Sequence, residues 1–462
     1  MIRQLFRPPK RKSGRKSKAP FVVILLIFVS CFYGRFDITQ GFVPNVAYAE
    51  TSAVEAYGRT NSQSTTQNGE KANQNDGNAK ISTQADENGQ EQDEEISDIE
   101  QALEEEVGNQ IDDLDFSAVE QIIANLSTSA KQLFASNSFV NKVELIISGD
   151  YIENSQSFFA SIMSLFWEGL KGFLPLIAGI ISVAILGGMV ANLKPVTNGK
   201  SIGNIVHFVT YGVVIIFLGT SLVQIIGTTS TTLNTIKGLF DGIFPILLTL
   251  LTAVGGTVSV GIYQPAIALI SEIIVILITY ILLPLFIFSI VFSVVGNLSN
   301  NVKLDKFVSF LQGAFKWAIG LCFTIFLGFV SIQGIMAGSV DGLSIRTAKY
   351  AIKSYVPIVG GYVSDGLSII MASSVLIKNA IGGVGLFLLL ATVVSPVINL
   401  VLFILALKFM AGIIEPIGDK KIANFMSDIS KSLSLLVALL VAVSFMYLVL
   451  TGLIMCSANL VF

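Results

Sequence analysis

Between Phe173 and Met455 the chain runs again and again through apolar stretches long enough to cross a bilayer, and that pattern restricts its fold more than any other. A hydrocarbon core about 30 Å thick needs about 20 predominantly apolar helical residues, because with no water at hand each backbone amide must bond inside its own segment. Segments 173–193, 205–227, 243–263, 266–296, 318–338, 356–377, 380–407 and 432–455 meet this requirement. Composition agrees, with 52% of residues hydrophobic and 13% charged, against roughly a quarter charged in ordinary soluble domains. The expected class is an all-α polytopic membrane protein with about eight transmembrane helices. The fourth segment is overlong for a straight crossing and is expected to tilt or to kink at Pro284. The sixth, diluted by Gly360, Gly361, Ser364, Asp365 and Gly366, competes with an unwound course buried in protein.

Charge is segregated along the chain. Arg3, Arg7, Lys10, Arg11, Lys12, Arg15, Lys16 and Lys18 precede the apolar run 19–34, the order of a secretory signal, and Ala47-Tyr48-Ala49 has the form of a cleavage site. Residues 1–49 are therefore expected to be a signal peptide. An uncleaved anchor is the alternative, because Arg35 and Asp37 lengthen the approach to that site. Residues 50–114, rich in Gln, Asn, Ser and acidic side chains, are expected to form a disordered external tether. Residues 115–171 are expected to be amphipathic helix outside or at the interface, opening with a capping-box spacing at Ser117 and Glu120. With residue 50 outside, nine positive charges fall in cytoplasmic loops (Lys194, Lys200, Arg346, Lys349, Lys353, Lys408, Lys420, Lys421, Lys431) and six in external ones (Lys171, Lys237, Lys303, Lys306, Lys316, Lys378), a modest positive-inside bias.

An internal repeat is visible. Thr235, Lys237, Pro245 and Ile246 return as Thr347, Lys349, Pro357 and Ile358 at an offset of 112, and Pro284 returns at that offset as Pro396. After a first two-span unit, 172–227, the copies are 228–338 and 344–456. Three spans per copy is an odd number, so an inverted repeat about an axis in the membrane plane is expected.

Few residues offer chemistry. Glu272 and Asp365 are the carboxylates placed inside spans, where charge is costly and tends to mark a pathway; merely solvated positions are the plainer reading. His207, the single histidine, opens the second span and is more simply an interfacial polar residue than a proton relay. Pro245, Pro284, Pro357 and Pro396 are candidate helix breaks, and Gly255, Gly256, Gly382 and Gly383 candidate packing faces. Cys322 and Cys456 have neither metal nor disulfide spacing. Asn198-Gly199-Lys200-Ser201 ends like a phosphate loop, but Lys194 replaces the glycine required five positions before Gly199. No catalytic, cofactor or metal constellation is expected, nor nucleic-acid binding; the partners are membrane lipid and other proteins.

The layout of a signal, a polar segment and a polytopic body carries Asn141-Lys-Val-Glu-Leu-Ile-Ile-Ser-Gly-Asp-Tyr151, Leu170-Lys-Gly-Phe-Leu-Pro175 and Val295-Gly-Asn-Leu298 in that order. It resembles the stage III sporulation protein AE family of endospore-forming bacteria. The resemblance implies a multi-pass protein of the mother-cell engulfing membrane and a component of a channel or secretion-like complex reaching the forespore, needed for late forespore development. It also implies ring-forming stage III partners, a cytoplasmic ATPase and, across the intermembrane space, stage II sporulation protein Q. Broken helices in a repeat equally suit a secondary transporter or permease for a small molecule, which is the alternative.

Overall fold

The computed structural model describes residues 101–134, 138–149, 155–192, 200–298, 304–337, 347, 350–351, 360–417 and 419–457. The signal with Ala47 and Ala49, the tether up to residue 100, and Pro357 lie outside them. Short helices come first: α1 (101–112), α2 (Ser117–Ala124), α3 (Thr128–Phe134) and α4 (Phe139–Ile147). Long ones follow: α5 (Ser155–Asn192), α6 (Lys200–Ala253), α7 (Thr257–Leu277), a π turn (Ile278–Leu282), α8 (Leu283–Leu298), α9 (Asp305–Ala337), α10 (Gly360–Ile417) and α11 (Lys420–Cys456). Strands are absent among the described residues.

The eight apolar segments occupy six long helical rods, counting α7 through α8 as one. The 54 residues of α6 make a rod of about 81 Å and the 58 of α10 one of about 87 Å. Two expected loops do not interrupt them. Thr228 to Thr232 bond within the helix, the Thr229 and Thr232 hydroxyls donating to the carbonyls of Ile225 and Thr228 at 2.8 Å, so polar composition does not end α6. Lys378, counted above as an external loop charge, is 0% exposed inside α10 and donates to the Ser457 carbonyl.

What ends α6 is Gly255, at φ 91°. Its amide bonds to the Thr252 carbonyl at 2.8 Å and that of Gly256 to Leu251 at 2.9 Å, a Schellman closure that needs a residue at ease in the left-handed region. Gly255 and Gly256 therefore form a turn, not the helix-packing face expected of them. Pro284 has no N–H for the carbonyl one turn back, and the π turn just before it absorbs that misfit without a break. Pro245 and Pro396 lie inside unbroken α6 and α10.

The inverted arrangement does not survive the packing. Gln312 of α9 donates to Ser432 of α11 at 3.0 Å and Phe323 meets Phe445 at 5.6 Å, so α9 and α11 run in the same direction. Ser289 with Ser432, Ser271 with Tyr447, and Tyr263 with Ser457 make the α7–α8 rod antiparallel to α11. The hairpins α8–α9 and α10–α11 thus turn at the same end, beside Tyr211, which bonds to the Val294 carbonyl at 2.8 Å and packs on Phe425. Once 228–253 belongs to α6 and 360–377 to α10, each copy crosses an even number of times, so the copies share one direction. The boundary expected at 227/228 falls inside α6. The α8–α9 connection also moves to the end first assigned to the cytoplasm, and the α9–α10 connection moves away from it.

The N-terminal helices cap the far end of α10. Helix α1 corrects the expectation of disorder through residue 114: Leu103, Val107 and Ile111 recur every four residues within the acidic run, giving it an apolar stripe. Gln110 donates to the Ser373 hydroxyl at 3.0 Å and accepts from Ser374 at 2.8 Å. Ser117 is not a capping-box N-cap, a position taken by Phe116; the Asp115 carboxylate accepts the Ser117 amide instead, and the Ser117 hydroxyl first, then that amide, lower its pKa. Lys142 sits buried with its ammonium 4.4 Å from the ring centroids of both Phe134 and Phe387.

Candidate functional site

The exposed face of α6 changes character along its length. From Ile205 to Val223 it presents Ile205, Phe208, Val209, Ile216, Phe217 and Val223; beyond, it presents Gln224, Thr228, Thr231, Asn234 and Asp241. The apolar part is about 28 Å tall, the thickness of a hydrocarbon core. Counting along the neighbouring helices from the contacts above, Lys171 of α5, Tyr280 of the π turn, Lys316 and Trp317 of α9 and Asn399 of α10 fall within about a turn or so of the height of Gln224. All are exposed. Trp167, 54% exposed, lies about one turn beyond Lys171 and Trp317 is 69% exposed, so both tryptophans of the chain lie near this height, as in the aromatic belt of a membrane interface. At the lower margin Lys306 and Lys420 are exposed. The rods continue well above the upper margin, where the flank of α7 and α9 remains apolar at Leu269, Ile273, Ile325 and Ile332.

Against this frame the two candidate carboxylates are not neighbours. Glu272 is 62% exposed above the upper margin, 3.9 Å from the Lys237 ammonium, which pairs with Asp241 at 2.6 Å. Asp365 is half-buried in the second turn of α10, farther still from the band. His207 stands at the opposite end. Its Nδ1 meets the Asp419 carboxylate, its ring stacks on Tyr211 at 5.8 Å, and its Nε2 is enclosed without a hydrogen-bond partner. Asp419 also caps α11 by accepting the Lys421 amide at 2.9 Å. The His207 ring, then the Lys421 amide, hold this carboxyl below the usual carboxylate range against the opposing effect of burial. Asp419 was not singled out above, although an Asp directly before Lys420-Lys421-Ile422 is an N-cap signal.

At Gly382 a β-carbon would lie 2.3 Å from Met455 Cγ. At Gly383 the space is open, and Gly385 faces Ile243. No group of three or more histidine, cysteine or acidic side chains that would hold a metal occurs among the described residues.

A cavity of about 350 Å³ opens at the upper margin between α5, α6 and α10. Ser221, Gln224 and Thr228 on successive turns of α6 face Asn399 and Pro396 of α10, and Gly169 and Gly172 of α5 complete the lining. A β-carbon at Gly169 would come within 2.6 Å of the Leu402 side chain and 3.1 Å of Asn399 Oδ1, whereas one at Gly172 would meet nothing within 4 Å. Among the described candidate prolines, Pro245, Pro284 and Pro396, the last alone lines this cavity.

An apolar band of bilayer height bounded by lysines and tryptophans, with no catalytic cluster among the described residues, defines a polytopic helical membrane protein. The particular family follows from the sequence: residues 137–458 match the family described as stage III sporulation protein AE. That match covers more than half of the 462 residues, and the chain belongs to this family. A stage III sporulation protein AE of Bacillus subtilis (strain 168) is 26% identical over 314 residues, which cover 68% of this chain and 79% of that protein. No solved structure matches the chain. The protein is accordingly a membrane protein of sporulation.

Proposed function

We propose that this protein is the membrane-embedded member of a multiprotein, channel-like complex linking mother cell and forespore, acting late in forespore development from the engulfing membrane. The observation carrying this reading is the apolar flank of α7 and α9 above the band, with Leu269, Ile273, Ile325 and Ile332 exposed. Outside lipid, an apolar surface of that kind marks a protein partner. Ring-forming stage III proteins, stage II sporulation protein Q and a cytoplasmic ATPase are the partners the resemblance supplies. A tagged copy purified from sporulating cells is expected to bring ring proteins with it, and replacing Ile273 and Ile325 by aspartate should release them and arrest spores late. Co-purification unchanged by that double replacement would remove the argument. The cavity favours a second reading, a small-molecule permease; that reading predicts transport by the chain alone in liposomes.

The proposed orientation places the His207 end in the cytoplasm and the N-terminal helices outside. The segments joining α5 to α6, α8 to α9 and α10 to α11 at the His207 end, with the adjoining helix starts, contain Lys194, Lys200, Lys303, Lys306, Lys420 and Lys421; the α9–α10 connection at the other end contains Arg346, Lys349 and Lys353. Six against three, in short connections, is the positive-inside sign. In vegetative cells expressing a chain whose native cysteines are replaced by serine, Thr231→Cys should react with a membrane-impermeant maleimide while the cells are intact. Asn301→Cys should react only after permeabilisation, and Ile216→Cys in neither case. Labelling of residue 301 on intact cells, or none at residue 231, would overturn this placement.

A further inference from the structure

The geometry points to the cavity between α5, α6 and α10 as a binding site for a neutral sugar moiety, presented either free or as a lipid headgroup. Its polar lining comes from hydroxyls and side-chain amides, Ser221, Gln224, Thr228 and Asn399, with no charged residue among the lining groups. None of these four side chains makes a hydrogen bond within the chain among the described residues, so their donors and acceptors are available to something else. Side-chain amides offer paired donor and acceptor groups, the complement of adjacent sugar hydroxyls. Phe173, seated on Phe403 at 5.3 Å, adds an aromatic wall against which the apolar face of a sugar ring can lie. An ionic ligand would find no counter-charge here and would lose hydration without compensation. A peptide needs an extended groove, whereas a volume of about 350 Å³ lies at the small end of the range for compact ligands.

Position supports the same reading. The lining residues Gln224 and Asn399 lie at the height of Lys171 and Trp317, where external water and lipid headgroups both reach. Gly172 is the glycine that borders open space, while Gly169 lets α5 approach α10 beside the cavity, since a β-carbon there would press on Leu402 and Asn399. The inference goes beyond the channel reading and does not rest on it: a sugar site at this depth would serve a cargo, a regulator or a lipid anchor alike.

The test uses the full-length chain in phosphatidylglycerol nanodiscs, with radiolabelled methyl glucoside in solution as one probe and monoglucosyl diacylglycerol in the disc as the other. Saturable binding of the first assigns a free sugar; binding of the glycolipid alone assigns a headgroup. Two variants locate it: Gln224→Ala with Asn399→Ala removes the amides, and Gly172→Leu fills the cavity at a position where added atoms meet open space. Each should weaken binding at least about tenfold, the loss of one or two good hydrogen bonds, while the thermal midpoint stays within about 2 °C of the parent, as for other substitutions that leave the packing intact. Failure of both probes to saturate, or binding unchanged in both variants, would overturn the assignment.

Discussion

Asp419→Ala is expected to lower the thermal midpoint of the purified protein in detergent by about 5 °C or more. Two losses coincide at this residue. The first turn of α11 loses its capping acceptor for the Lys421 amide, worth about 1 kcal/mol. His207, whose Nε2 already lacks a partner, loses the one at Nδ1 as well, and a buried polar group left unsatisfied costs about 1–3 kcal/mol. Asp419→Asn keeps an acceptor for the cap and should recover about half of the loss. The pH dependence has a definite sign. Because the folded carboxyl has a lowered pKa, its stabilisation is fully present above the unfolded value of about 3.9 and disappears as pH falls through the folded value. The difference between wild type and Asp419→Asn should therefore shrink as pH falls below about 4. An alanine variant that melts with the parent would show that the α6–α11 junction does not depend on this pair.

Gly382→Leu is expected to have a larger effect, loss of monodisperse protein after solubilisation. A β-carbon at position 382 would lie 2.3 Å from Met455 Cγ and 2.4 Å from its Sδ, and a leucine adds three more carbons in the same direction. Overpacking a filled interior costs about 1–3 kcal/mol, often more, and here it would force apart α10 and α11, whose buried faces meet along most of their length. Alanine at 382 should be milder, since Met455 is unbranched and can turn aside. The informative control is Gly382→Leu combined with Met455→Ala, which frees the volume and should restore much of the monodisperse yield. If the double variant behaves no better than the single one, the glycine serves something other than this contact.

The membrane character and helical class could be read from the apolar segments alone, because lipid admits few other solutions. Where helices end was less legible. The Thr-rich stretch 228–235 looked like a loop, yet threonines bond back to their own helix and α6 continues; Gly255 and Gly256, taken for a packing face, are where it stops. That exchange took one crossing from the first copy, the joining of 360–377 to α10 took one from the second, and together they removed the inversion. Lys378 misled for a related reason: a lysine between two apolar segments suggests solvent, but the carbonyl of Ser457 receives it inside the bundle. Leu103, Val107 and Ile111 were visible in the acidic run and were outweighed by its composition. His207 was singled out, whereas Asp419, its partner 212 residues away, was not. The cavity was invisible because Gly172, Gln224 and Asn399 share no local pattern; of its lining residues, Pro396 had been noted as a helix break, and Gly172 and Phe173 only as part of a motif.

The unbroken course of α6 has a mechanical consequence. A rod of about 81 Å pivoting by about 10° at Lys200 swings Ala253 sideways by about 14 Å. It is a lever whose short arm sits at the His207–Asp419 contact and whose long arm carries Lys237 and Asp241, so a small displacement at one membrane face is delivered, magnified, far outside the other.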